Sequence, residues 1–325
     1  MLSLDTGLAA HKLSVVPHSC LRFVGVAVVA GLCGCGERAP EPAPPAPEPN
    51  ATVATRSVAE LTGWPAGLGR ALVLRLAAPK DALRLVVPEL GDGRFADSAL
   101  SVRVGDSLSV SLIGHRGKVG DARVRVTDAE VGTGSCVTWP SVEMAVAGAA
   151  RRSAAVWRVA MESDSLTPIA VDSLAGMSSL DSAALTNAIH SVLRDVPALT
   201  DSTLRGLPFS ILRAYSLRAG GRSIVVAELS RKTSSEADPR EQRLFVIGER
   251  NADEQAHSMV YSQDATGPAD VAPVTDLLAA VVARASGRPI LVVGVEGRSG
   301  MRLQLIQRVG RRQWRRSWTS VVNFC

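Results

Sequence analysis

The stretch Ser107-Leu108-Ser109-Val110-Ser111-Leu112 sets polar and apolar side chains strictly in turn. A period of two suits one local structure, a pleated strand with one dry face and one wet face. Ser101-Val102-Arg103-Val104 alternates in the same way before the Gly105-Asp106 break, and Arg123-Val124-Arg125-Val126 does so after it. Short alternating runs separated by Gly/Asp turns predict half-buried antiparallel strands, and residues 70–150 are expected to form a β-sandwich-like or barrel module. Aromatic residues make up only 4% of the chain, so its core has to be built from Val, Leu, Ile and Ala.

The second half mixes patterns. Leu185, Ile189, Val192, Leu193 and Val196 share one helical face, and Pro197 ends the run, which predicts a helix over 180–196. Segments 209–217 and 222–230 are strand-like around Gly220-Gly221, a hairpin signal. Further strands are expected at 243–248, 258–262, 289–295, 302–308 and 313–322. A second helix is expected over 274–286, with Leu277, Leu278, Val281 and Val282 buried and Gly287 just past its end. The expected fold class is α+β, predominantly antiparallel β, with residues 151–325 forming an α+β domain of β-meanders and two helices. Segments 222–262 and 287–322 each read as three meandering strands, and Ser223-Ile224-Val225-Val226 parallels Pro289-Ile290-Leu291-Val292-Val293. This resembles propeller-blade or FG-GAP-type meanders, but two units cannot close a propeller.

Phe23 to Gly34 form an apolar run preceded by Lys12 and Arg22. The run is too short to span a bilayer, which takes about 20 residues, and fits the apolar region of a secretory signal. It ends in Leu32-Cys33-Gly34-Cys35, which resembles the lipobox of bacterial lipoproteins. Leu32 takes the first place, Gly34 the third and Cys35 the modified position, while Cys33 departs from the small residue usual in the second. The resemblance implies removal of residues 1–34 as a signal peptide and a lipid on Cys35. Gly36 after the cysteine resembles the sorting signal for an outer-membrane destination. An ordinary secretory signal and an uncleaved interfacial anchor are the alternatives. Residues 35–60 would be the lipidated cysteine and a tether. Pro40 to Pro49 hold six prolines, which favour extended polyproline II and exclude helix. Cys136 and Cys325 then remain, either as a disulfide in an oxidising envelope or as two buried thiols.

Residues 295–325 carry seven arginines (Arg298, Arg302, Arg308, Arg311, Arg312, Arg315 and Arg316) against the single acid Glu296. Arg311, Arg312, Trp314, Arg315, Arg316 and Trp318 interleave cation and indole and form a candidate binding set. In a regular strand Trp314, Arg316 and Trp318 share one face. In an envelope compartment this set would meet acidic lipid or glycan head groups rather than nucleic acid. The alternative is core-packed tryptophan with solvated arginine.

Other motifs are weaker. Gly105-Asp106-Ser107-Leu108 spells the block of GDSL esterases, in which the serine is the nucleophile. Here alternating strands flank it, and Glu254-Gln255-Ala256-His257 is a poor match to that family's Asp-x-x-His pair. His115, His190 and His257 lack zinc spacing, and Asp92 and Asp97 fall short of a calcium loop. Gly294-Val295-Glu296-Gly297 lacks the lysine of a phosphate loop. No metal and no cofactor is expected. The sequence reads as a membrane-anchored envelope lipoprotein with a binding or scaffolding role, the alternative being an esterase using Ser107.

Overall fold

The computed structural model describes residues 63–65, 67–76, 83–88, 104–127, 139, 141–146, 156–162, 166–196, 203–233, 239–320, 322 and 323. Signal, lipobox and tether, with Cys35, lie outside them, as do Ser101–Arg103, Asp92, Asp97, Cys136 and Cys325.

The alternating runs Ser107–Leu112 and Arg123–Val126 belong to a closed sheet. Its strands are β1 (Leu72–Arg75), β2 (Leu83–Val86), β3 (Ser107–Gly114), β4 (Gly117–Val126), β5 (Val142–Val146) and β6 (Val159–Glu162). They are hydrogen-bonded in the order β2-β1-β6-β3-β4-β5, every pair antiparallel. An antiparallel bridge between Arg84 and Ser141 joins the two outermost strands, so the sheet curls into a small barrel. Leu108, Val110, Leu112, Val124, Val126 and Trp157 fill its interior, while Asp121, Arg123 and Arg125 of β4 point to water. β6 sits between β1 and β3, so the barrel draws on chain beyond the 70–150 segment.

Two five-stranded antiparallel sheets follow. β7 (Leu166–Pro168) joins a middle sheet, and β8 (Val171–Ser173) joins an outer one. The outer sheet continues as the meander β9 (Ser210–Ala219), β10 (Arg222–Lys232), β11 (Arg240–Arg250) and β12 (Ser258–Pro268). The middle sheet continues as β13 (Val274–Ala283), β14 (Arg288–Gly297), β15 (Gly300–Gly310) and β16 (Gln313–Thr319). Each order is the same, a four-strand meander with one short strand added beside its first member. The two segments with matched sequence, Ser223–Val226 and Pro289–Val293, lie in β10 and β14, the second strand of each meander. Gly220 (φ +55°) and Gly221 (φ +74°) supply the left-handed pair that the two-residue β9–β10 turn requires.

The middle sheet is dry on both faces. Leu277, Ala280, Leu291, Val293, Ile306 and Trp314 pack toward Tyr215, Leu217, Ile224, Val226, Phe245 and Ile247 of the outer sheet. Leu278, Val281, Ile290, Val292, Leu303 and Leu305 pack toward Leu72, Leu74, Ile113, Val159 and Met161 of the barrel. On the far side of the outer sheet lies helix α1 (Ser179–Leu193), close to the expected span. Ser178 caps it by accepting a hydrogen bond from the Asp181 N–H at 3.2 Å. Leu185, Ile189 and Val192 meet Val225, Ala227, Leu229 and Val246. Gly248 lets the helix approach this closely, because a Cβ there would overlap the Val192 and Val225 side chains.

The chain is thus mainly antiparallel β with α1 as the α-helix among the described residues. The helix expected over 274–286 is corrected: Val274–Ala283 is strand β13. The run Leu277 to Ala283 lies between two sheets, so both its faces are apolar and alternation disappears. A β-bulge between Leu277 and Ala279 then shifts the register. Leu278 and Ala279 consequently face the barrel together, whereas Leu277 and Val282 face the outer sheet, so the apolar set expected on one helical face is divided between two faces of a strand.

Candidate functional site: an arginine-lined cleft

The expected binding set in the C-terminal hairpin divides in two. Trp314 (7% exposed) and Trp318 (4% exposed) are interior residues. The register shifts between Leu305 and Ile306, which pair with Trp318 and Arg316 and leave Ser317 as the extra residue. That bulge reverses the alternation, so the two indoles lie on opposite faces of the middle sheet. Trp314 packs toward the outer sheet, whereas Trp318 packs toward the barrel side, edge-on to Trp64 at 4.8 Å. Neither offers a stacking surface to a ligand. Arg311, Arg312, Arg315 and Arg316 are exposed. Arg312, in the left-handed region at φ +54°, is ion-paired with Glu254. That arginine, hydrogen-bonding the carboxylate, holds Glu254 well below the usual range, at about 2.

Two buried glutamates tie the meander sheets together. Glu249 on β11 is 1% exposed. It accepts hydrogen bonds from Arg308 Nε and Nη2 at 3.0 Å each and from Trp314 Nε1 at 3.0 Å, and Arg222 Nε lies 3.0 Å away. Glu228 on β10 is 2% exposed and accepts from the Thr275 N–H at 2.7 Å and from Arg213 at 3.0 Å. Burial raises its pKa despite these donors and the nearby Arg243. A third polar joint links all three sheets through Asp276. Tyr215 of the outer sheet donates to its Oδ1 at 2.5 Å, and Arg158, just before β6, donates to its Oδ2 at 2.8 Å. Burial and Asp276 push the Tyr215 phenol above its usual range. His115 Nε2 donates to the Leu277 carbonyl at 3.1 Å beside the same ring.

Next to this joint opens a cleft of about 2290 Å³, running from the β3–β4 turn past the β14–β15 turn to the helix side of the outer sheet. Arg116, Arg218, Arg250 and Arg298 line it. Unlike Arg158 and Arg213, these four have no hydrogen-bonding or ion-pairing partner among the described residues. On the helix side, strand register aligns three of the lining residues. Arg218 on β9 pairs with Ser223 on β10, which pairs with Arg250 on β11. Ser223 is two residues from Val225, which faces the helix, so all three side chains stand on the helix face of the sheet. His257 Nε2 lies 3.1 Å from Ser223 Oγ, and Ser191 of α1 donates to the His257 carbonyl at 3.0 Å. Burial first, and the Arg250 charge second, lower the His257 pKa to about 4, so this imidazole is neutral at pH 7. A neutral imidazole and a hydroxyl between two guanidinium groups add hydrogen-bonding capacity without adding charge.

Sequence reading did not find this cleft, although one signal was available. A two-residue Gly220-Gly221 turn fixes Arg218 opposite Ser223. Ser107 of the GDSL block opens β3 on its exposed face, across from Arg125, and none of the described histidines hydrogen-bonds it. Glu254 engages Arg312 and Asn251 rather than His257. Among the described residues there is no group of three or more His, Cys, Asp or Glu placed to hold a metal ion, and no helix is long and apolar enough to cross a membrane. Trp139, three residues after Cys136, donates its N–H to Asn323 Oδ1 at 3.0 Å, and Asn323 is two residues before Cys325. Comparison with protein-family models, curated proteins and solved structures gives no match.

Proposed function

We propose that this chain is a membrane-anchored envelope lipoprotein that binds an acidic ligand, a lipid or glycan head group, in the arginine-lined cleft. The observation that carries the reading is the set of four arginines without partners, Arg116, Arg218, Arg250 and Arg298, on one concavity. A guanidinium left unpaired beside a cleft is a ready donor to carboxylate or phosphate oxygens, and its two-pronged geometry suits either. The lipobox and the proline-rich tether support the address: Cys35 would hold the body to an outer membrane, and a polyproline segment would span roughly 45 Å. The exposed Arg311, Arg315 and Arg316 would add long-range attraction to an acidic surface without a pocket of their own.

Two measurements test this reading. Fatty-acid labelling with membrane fractionation in a bacterial host should mark the wild type and miss Cys35→Ser; equal labelling of both would end the anchor. For binding, full-length Cys35→Ser protein should sediment with phosphatidylglycerol vesicles and not with neutral ones. Replacing Arg116, Arg218, Arg250 and Arg298 with Gln should abolish this, whereas Arg311, Arg315 and Arg316→Gln should only weaken it. Sedimentation unaffected by the cleft substitutions would refute the cleft as the binding site.

A further inference from the structure

At the helix-side end of the cleft, Arg218, Ser223 and Arg250 form one cross-strand row beside α1. Neighbouring strands lie about 4.8 Å apart, so the Cα atoms of Arg218 and Arg250 stand about 10 Å from each other with Ser223 midway. Two arginine side chains starting that far apart on one face can close on a group held between them, above the serine hydroxyl. The walls are already fixed. Ala184, Asn187, Ala188 and Ser191 of α1 line one side, and the Ser191 bond to the His257 carbonyl ties helix to loop. Met259 N–H donates to Asp195 Oδ2 at 3.0 Å and fastens the same loop again. His257 is 8% exposed and oriented by Ser223. Asp172 of β8, which pairs with Ser216, and Asp181 of α1 also line the cleft, and Glu254 lies close enough to His257 to oppose the effect of Arg250 on its pKa. None of these carboxylates ion-pairs with Arg218 or Arg250 among the described residues.

Deepening the binding reading above and resting on it, we infer that Arg218, Ser223 and Arg250, with His257 behind them, form a subsite for one phosphoryl group of the acidic ligand. The two guanidiniums would take its oxygens from either side, and Ser223 Oγ–H would donate from below. His257 would donate its Nε2–H to the Ser223 oxygen, leaving the hydroxyl hydrogen for the ligand, and so act as a positioning residue. A phosphoryl group fits better than a carboxylate, because donors converge from three directions rather than in one plane. Its source is either a phospholipid head group or a soluble phosphate monoester.

His257 reports occupancy. An anion between the arginines offsets the Arg250 charge that lowers the imidazole pKa, so binding should raise that pKa. Full-length Cys35→Ser protein is titrated with glycerol phosphate while the His257 ring protons are followed by NMR, and binding to phosphatidylglycerol vesicles is measured in parallel. The expected result is saturable binding with an upward shift of the His257 pKa. Arg218→Gln and Arg250→Gln should each weaken it about tenfold, and Ser223→Ala several-fold. Arg218→Lys, which keeps the charge, should retain part of the affinity. Glycerol phosphate and vesicles competing for the same site would assign a lipid head group; glycerol phosphate bound without vesicle binding would assign a soluble ester. Binding lost in Arg116→Gln/Arg298→Gln but kept in Arg218→Gln/Arg250→Gln would overturn the subsite and leave the cleft reading standing. Absence of saturable binding of either probe would overturn both.

Discussion

Replacing Glu249 by alanine isolates what the buried carboxylate does. The side chain is 1% exposed, and Arg308, its bidentate partner, is 13% exposed. Removing one member of such a pair leaves the other charge in a poorly solvated site, which costs about 3–5 kcal/mol. Here the losses are unequal. Arg222, 31% exposed, keeps its 3.1 Å hydrogen bond to Asn251 and can turn to water. Arg308 and Trp314 Nε1 lose the acceptor they share, and neither has another hydrogen-bond acceptor among the described residues. The expected cost of Glu249→Ala is therefore about 4 kcal/mol, a large part of the 5–15 kcal/mol that holds a typical domain. Glu249→Gln keeps one acceptor oxygen and the volume, and should cost about half as much. The assay is urea unfolding of full-length protein followed by tryptophan fluorescence, with Arg308→Ala and the double variant completing a cycle. If Glu249 acts through Arg308, the double variant is less damaged than the sum of the singles by at least about 2 kcal/mol. A loss under about 1 kcal/mol for Glu249→Ala, or additive singles, would refute the idea that this pair fastens the two meander sheets.

Further outcomes follow from other positions. His257 has a folded pKa of about 4 against an ordinary 6.5, so the native state refuses a proton that the unfolded chain accepts. Its stabilising share is complete above pH 6.5 and lost as pH falls toward 4, at most about 3 kcal/mol. Urea midpoints measured from pH 7.5 to 4.5 should fall steeply in the wild type and less in His257→Gln; identical slopes would exclude His257 as the source. Gly248→Ala should cost about 1–3 kcal/mol by forcing a Cβ into Val192 and Val225. Amide exchange should locate the loss in α1 rather than in the barrel. In an exported form of the chain, Cys136 and Cys325 are proposed to pair. Peptide mass mapping without reductant should find the linked pair, and two free thiols alkylated in denaturant would exclude it.

What could be read from the chain depended on whether an element had a wet side. β3 and β4 border water on one face, so Ser107 to Leu112 and Arg123 to Val126 show their alternation openly. Helix α1 lies on the outside of the stack and shows a clear apolar stripe of Leu185, Ile189 and Val192. β13 has no wet face, so its run of apolar residues carries no alternation and admits a helical reading as readily as a strand. A bulge at Ser317 sends Trp314 and Trp318 to opposite sides of a strand whose sequence suggests one face. Bulges are set by tertiary packing and leave little mark on composition. The cleft was hidden for a different reason. Arg116, Arg218, Arg250 and Arg298 come from two turns and two strands spread along the chain, and only the sheet order brings them to one cavity.

The placement of the middle sheet also governs when the body can form during synthesis. Its first strand, β7, finds its neighbour β13 only after the whole outer meander has been made, and Trp64 waits for Trp318, near the chain's end. Contacts of such separation form slowly, since the loop entropy is lost before the contact is gained. A barrel that emerged first would carry the apolar flank of Leu72, Leu74 and Met161 uncovered until the last hairpin closed over the middle layer. An exported chain built this way would reach its final shape late, and a protease or a chaperone would meet it first as a barrel with one greasy side.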